Sequence, residues 1–316
     1  MSTLALTRVR QQALAIRRPH PLLNVMTWEV RRFRASRLFW LQVLGLFCLL
    51  VLLTWAQATN DQFSIQTASA FIPGTSAWGL LLILPVTLLL LVVLLPFVTA
   101  DGVTRDLQRR THELLLTTAL PSWAYVWGRY LVGLVMSLGL ALLMLAAILG
   151  MGTTLHLTIV DYPAPVIGNT LILWVGMVVP ATVLVSSVGF AVVTLFPRLS
   201  AMVKVVILMG WVVGTEVLPV LLYLPSGHFP TWYVAWGPPS ALTMLATVQQ
   251  YQPNIDRQSA VALTTAQFQQ LVNTVANKAP DVSAWFAPHL IEAGLSLLLV
   301  ALAAFSFQRF HNAFGA

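Results

Sequence analysis

Charge is what this chain has least of. Of its 316 residues only 9% are Asp, Glu, Lys or Arg, against about 25% in soluble domains, and 58% are hydrophobic. That balance excludes a water-covered globule of this length. Lysine is nearly missing, with only Lys204 and Lys278 present. The sequence has no G-x-x-x-x-G-K-[ST] phosphate loop, so ATP hydrolysis by that route is excluded. It also lacks an H-E-x-x-H zinc motif, a G-x-S-x-G nucleophile turn and any Cys/His cluster, so neither a catalytic set nor a metal site is expected. The six His stand singly at 20, 112, 156, 228, 289 and 311. The single cysteine, Cys48, lies in an apolar run and precludes an intrachain disulfide. Carboxylates within apolar runs mark ion-coupled transport, and they are scarce: Glu216 lies inside one, and Glu292 at the mouth of another. A signal peptide is not expected, because the first strongly apolar segment begins near Leu38 and exceeds a signal core in length.

What remains is membrane-spanning sequence. Six apolar stretches reach the roughly 20 residues needed to cross about 30 Å of hydrocarbon: 38–56, 76–99, 123–150, 169–196, 202–222 and 289–307. The net charge of +7 sits entirely on residues 1–37, which hold eight Arg against Glu29. Placing the N-terminus inside puts fifteen basic residues on cytoplasmic segments and two, Arg257 and Lys278, outside. The expected fold is therefore an all-α membrane protein with six transmembrane helices and both termini cytoplasmic, in the cell's inner (plasma) membrane. Nucleic acid is not an expected partner, because the positive charge directly precedes a span.

The connecting segments divide the chain further. Residues 1–37 form a cytoplasmic arm. Leu22, Met26, Val30 and Phe33 share one side of a helix after Pro21, with Arg31, Arg32 and Arg34 elsewhere, which suits a helix lying in the interface. The arm reads either as a basic topogenic flank or as an elbow helix packed on the bundle and a partner, and the two are compatible. Residues 38–222 hold spans one to five, including a charged helix at 101–121 that ends in an apolar tip. That segment is longer than a connector needs to be. It suits docking to a soluble protein, and a solvated helix face accounts for each single charge equally well. Residues 223–288 form a long external loop. It opens with Pro and aromatic residues, and continues with Val261, Phe268, Leu271, Val272 and Val275 at helical spacing. One or two short helices forming an external cap are expected there. Residues 289–316 are the sixth span and a cytoplasmic tail.

Several of these residues carry a resemblance. Membrane subunits of type 2 ATP-binding-cassette (ABC) transporters show a pattern like E-x-E-x-G-T-x-E-x-L-L-x-(S/T)-P between spans two and three, then a Gly-Lys pair opening span three. Here Thr111, Glu113, Leu114 and Leu115 fit the T-x-E-x-L-L core, Asp106 and Gln108 stand at the earlier acidic positions, and Gly128-Arg129 stands for the Gly-Lys pair. Pro21, Glu29, Arg31 and Arg32 fit the family's N-terminal pattern. Arg110 in place of Gly, Gln108 in place of an acid, and Leu120 before Pro121 depart from it. The chain thus resembles a permease subunit over nearly its whole length. The resemblance implies an elbow helix through Glu29, Arg31 and Arg32, and a cytoplasmic coupling helix. Asp106, Gln108, Arg109, Arg110, Thr111, Glu113, Leu114 and Leu115 would meet an ATPase subunit there. It further implies a second permease subunit, identical or homologous, with ATP and Mg bound by the ATPase partner and no cofactor bound directly.

Span five adds Gly210 and Gly214, a G-x-x-x-G pair that permits close helix approach, with Glu216 two residues on. These residues read as a subunit interface or substrate path, or as a small-residue packing contact with a Glu near water. The function expected is export by a permease subunit that is not itself an enzyme, powered by a separate ATPase. The alternatives are a complex that extrudes lipid or peptide, a membrane-embedded lipid-modifying enzyme using His228, Asp256 and His289, and an ion-coupled carrier or channel.

Overall fold

The computed structural model describes residues 20–58, 64–65, 70–99, 121–160, 162–218, 221, 230–251, 253 and 264–314. The expected coupling positions Asp106 to Leu115 and the first part of the arm lie outside the described residues.

Helix α1 (Pro21–Ala35) begins with a proline, whose fixed φ suits a first turn, and carries Arg32 and Arg34 in its last turn, where cations favour the dipole. It ends at Ser36, whose extended backbone turns the chain and whose Oγ accepts from the Phe39 amide at 3.3 Å. Helix α2 (Arg37–Ala58) follows. A two-residue antiparallel pairing, β1 (Ser64–Ile65) with β2 (Ala70–Phe71), lies in the connection to α3 (Ala77–Thr99), and every other described element is helical, as the all-α expectation has it. Helix α4 runs Ser122–Thr158, α5 runs Ile167–Leu195 and α6 runs Pro197–Val217. Three short helices come next: α7 (Thr231–Trp236), α8 (Ala241–Val248) and α9 (Thr265–Ala276). Helix α10 (Phe286–Phe314) completes the described chain.

Six of these helices, α2 to α6 and α10, are long and apolar enough to cross a membrane, and each coincides with a predicted span. The chain is a multi-pass helical membrane protein. Helix α3 is the centre of the bundle. Leu80, Leu84, Leu88, Leu91 and Leu95 are all buried against its neighbours. Pro85 and Pro96 lie within it, and the Thr87 and Thr99 hydroxyls donate to carbonyls of the preceding turn, Thr87 at 3.1 Å to Leu84 and Thr99 at 3.0 Å to Leu95. Helices α2 and α6 lie at the periphery, with most of their apolar side chains exposed.

Helix α4 is longer than its predicted span of 123–150. Its 37 residues extend roughly 56 Å, well beyond about 30 Å of hydrocarbon. The added turns are rich in threonine, yet they stay helical. Thr153 and Thr154 donate to the Gly150 carbonyl at 2.8 and 2.9 Å, and Thr158 to Thr154 at 2.8 Å, so these hydroxyls are satisfied within the helix.

Helices α5 and α6 each contain one π turn, Trp174–Val178 and Val213–Val217. The first precedes Pro180, and the second contains Glu216. The helices between spans five and six number three among the described residues, against one or two expected. They do not stand apart from the bundle. Phe268, Val272 and Val275 of α9 belong to the same apolar core as α3, with Leu271 packed against it, as their spacing predicts. Helix α9 opens with a capping box formed by Thr264 and Gln267. Tyr251 stacks on Trp78 at 5.6 Å and donates to the Lys278 carbonyl at 3.0 Å. Trp285 donates to Thr247 at 3.0 Å, and Asn169 to the Asn277 carbonyl at 2.7 Å. The molecule thus has two distinct ends, one bearing α1 and the other bearing α7 to α9.

Candidate functional site

Within a bilayer the apolar effect does not distinguish a neighbouring helix from lipid, so close packing and polar contacts hold helices together. The α1 end shows both. Val25 of α1 faces Gly128 of α4, and a Cβ at Gly128 would lie 2.8 Å from Val25 Cγ1 and 2.9 Å from Val25 Cβ. Only a residue without a Cβ admits α1 this closely. One position further, Arg129 is 2% exposed, and its guanidinium lies 5.1 Å from the Trp28 ring centre and 4.7 Å from that of Tyr125. A planar cation between two aromatic faces gains electrostatic attraction at little entropic cost.

Glu29 lies in the same packed face and is 2% exposed. Its Oε1 accepts from Arg32 Nη2 at 2.7 Å, a charge-assisted bond one turn along α1. The Arg32 guanidinium also sits 5.0 Å from the Phe33 ring centre. Arg31 is exposed and makes no part of this contact. Of the three expected elbow residues, the structure brings Glu29 and Arg32 together and leaves Arg31 on the open side. Trp28 and Tyr125 were not among the candidates. Their signal, an aromatic beside Glu29 and another four residues before Arg129, becomes legible only once α1 and α4 are seen to cross.

Span five presents a different picture. A Cβ at Gly210 or Gly214 would meet nothing within 4 Å. Among the described residues no atom of another element lies within 4 Å of where either Cβ would be, so neither glycine face is packed there. The Glu216 Oε1 accepts from Thr215 at 3.4 Å, and the Tyr233 hydroxyl of α7 donates to the Gly214 carbonyl. Burial pushes the Tyr233 phenol above its usual value, and the carboxylates of Glu216 and Glu292 push it the same way, against a lowering bond from Ser240. The Tyr233 hydroxyl thus ties α7 to α6 two residues before Glu216.

Two further polar contacts fix the spans. Tyr130 and Ser187 hydroxyls lie 2.7 Å apart between α4 and α5. His289 Nδ1 lies 3.0 Å from the Gly176 carbonyl in the π turn of α5. Of the three residues considered for a lipid-modifying enzyme, His289 is thus buried in packing, and His228 and Asp256 lie outside the described residues. No group of three or more His, Cys, Asp or Glu suited to a metal occurs among the described residues. The chain matches no known protein family and no curated protein.

Proposed function

We propose that this chain is the membrane subunit of an ATP-driven exporter of the type 2 ABC kind. Two such subunits pair in the plasma membrane, and a soluble ATPase that carries ATP and Mg docks on their cytoplasmic face. The observation that carries this reading is the joint between α1 and the foot of α4. Val25 sits in the Gly128 gap and Arg129 is held between Trp28 and Tyr125. Residues 101–120, which carry the coupling pattern, lead directly into that foot at Pro121. A force applied to that segment enters α4 where α1 clamps it. The basic residues gathered near this end support a cytoplasmic location for it, with the α7 to α9 cap outside.

Pairing is assigned to the peripheral spans. Val205, Met209 and Val213 form an exposed apolar ridge on α6, and α2 is likewise open to the bilayer. Gentle purification of the tagged chain with its native membrane partners tests the reading. A stoichiometric soluble ATPase is expected to co-purify, and Glu113→Ala with Arg109→Ala is expected to reduce both its recovery and its stimulated hydrolysis. A well-folded preparation without an ATPase, or a double variant that changes neither measure, refutes the proposal.

A further inference from the structure

An apolar groove runs between spans four and five, with a volume of about 570 Å³. That lies within the roughly 300–1,000 Å³ typical of ligand sites. Val188 and Val192 form one wall, and Val203 and Ile207 the other. Gly210 adds to its width, because a Cβ there would meet nothing within 4 Å among the described residues. Both helices are spans, so the groove opens sideways into lipid and not into water.

Its two ends differ in charge. At one end Phe196 and Leu199 line it, and Arg198, exposed and outside the lining, lies between them in sequence on the turn Pro197–Leu199. Lys204 flanks the same end, its Nζ 4.6 Å from the Phe97 ring centre. At the other end the lining finishes at Thr215 and Pro238, and the carboxylate of Glu216 comes next. From Leu199 to Thr215 the helix rises roughly 24 Å, more than the about 15 Å of one leaflet's hydrocarbon. A single acyl chain can therefore lie in the groove while its headgroup stays at the Arg198 end. The carboxylate at the far end disfavours an anion there, and the exposed Arg198 at the near end attracts one.

We propose that this groove is a binding site for an anionic phospholipid, with an acyl chain between spans four and five and its phosphate at Arg198. Basic residues beside a span attract the headgroups of anionic lipids. The inference does not rest on the exporter reading, since lipid binding needs no ATPase. Failure of either leaves the other standing.

The test uses the full chain in phosphatidylcholine nanodiscs doped with a photoactivatable phospholipid, either phosphatidylglycerol or phosphatidylcholine, with the reactive group on the acyl chain. Labelled peptides are mapped by mass spectrometry. Labelling is expected on the groove-lining residues Val188, Val192, Val203 and Ile207, with about fivefold preference for the anionic probe, the factor equivalent to roughly 1 kcal/mol from one basic residue. Gly210→Phe places a ring in the groove at a position where a Cβ meets nothing within 4 Å, and is expected to abolish that labelling. Arg198→Gln, at an exposed position, is expected to bring the two probes to equal yield while labelling continues. Equal labelling by both probes in the unmodified chain overturns the proposal. So does labelling that survives Gly210→Phe, or a groove reached only by crosslinks from a second copy of the chain.

Discussion

Gly128→Ala tests the joint on which the functional reading depends. The added Cβ would lie 2.8 Å from Val25 Cγ1 and 2.9 Å from Val25 Cβ, with the Leu22 carbonyl at 3.4 Å. Carbon pairs rest at about 3.5–4.0 Å, so α1 must lift by roughly 1 Å at this point. Rotating Val25 does not help, because a β-branched side chain in a helix has one strongly preferred rotamer and its Cβ does not move with rotation. Overpacking of this kind costs about 1–3 kcal/mol. Against it stands the better helix propensity of alanine, about 1 kcal/mol. Gly139→Ala and Gly150→Ala in the same helix supply the reference, since a Cβ at either meets nothing within 4 Å. These two are expected to be neutral or stabilising in thermal unfolding of the purified chain, and Gly128→Ala is expected to fall below them by about 1–3 kcal/mol. Val25→Ala removes Cγ1 but keeps Cβ, so the Gly128→Ala, Val25→Ala double variant recovers part of the loss. Equal behaviour of the three glycine variants, or a double variant equal to the sum of its singles, would refute the close α1–α4 contact.

Three further outcomes are expected. Gly176→Ala places a Cβ 2.7 Å from the rings of Trp285 and Phe286, so a loss of about 1–3 kcal/mol in thermal unfolding is expected, and a neutral result would show that the start of α10 does not seat in the π turn. In a Cys48→Ser background, single cysteines at Val205, Met209 or Val213 are expected to give disulfide-linked dimers in native membranes, whereas cysteine at Val188 on the groove wall is not. A reversed pattern would remove α6 from the pairing surface. Burial raises the Tyr251 phenol above the usual tyrosine value, so the folded chain holds this proton more tightly than the unfolded chain. Its contribution is intact below about pH 10 and is lost as pH rises from there through the raised folded value. Tyr251→Phe is expected to flatten the alkaline decline in stability, and an unchanged slope would count against burial of the phenol.

The spans were legible because twenty consecutive apolar residues have few other physical solutions, and their ends agree with the helices to within a few residues at most boundaries. Helix α4 runs to Thr158, past an expected span that was already long enough to tilt or to extend beyond the membrane. The hydroxyls at 153, 154 and 158 are absorbed by carbonyls one turn back. The arm's helix was legible, and so was most of its buried side. Leu22, Met26, Val30 and Phe33 share the packed side, as their spacing predicts, with Phe33 in the core and Met26 and Val30 against it, and Val25 and Glu29 are buried with them. The gap at Gly128 selects Val25, and a carboxylate enters the packed face because Arg32 bonds it one turn away. Neither reason is local to the arm. The two π turns left no periodic trace beyond Pro180, and the groove between α5 and α6 depends on how two apolar helices splay, which their composition does not encode.

The length of α4 has a mechanical consequence. It is a single unbroken rod of roughly 56 Å, gripped by α1 at one tip. At the other tip, the His156 imidazole lies 2.6 Å from the Tyr162 carbonyl, and the Tyr162 hydroxyl accepts from Thr75 at 3.2 Å. A tilt of about 5° pivoted at the gripped tip would sweep the far tip through about 5 Å, nearly one helical pitch. The rod needs no internal hinge to act as a lever, and the loop leading into α3 would travel with it.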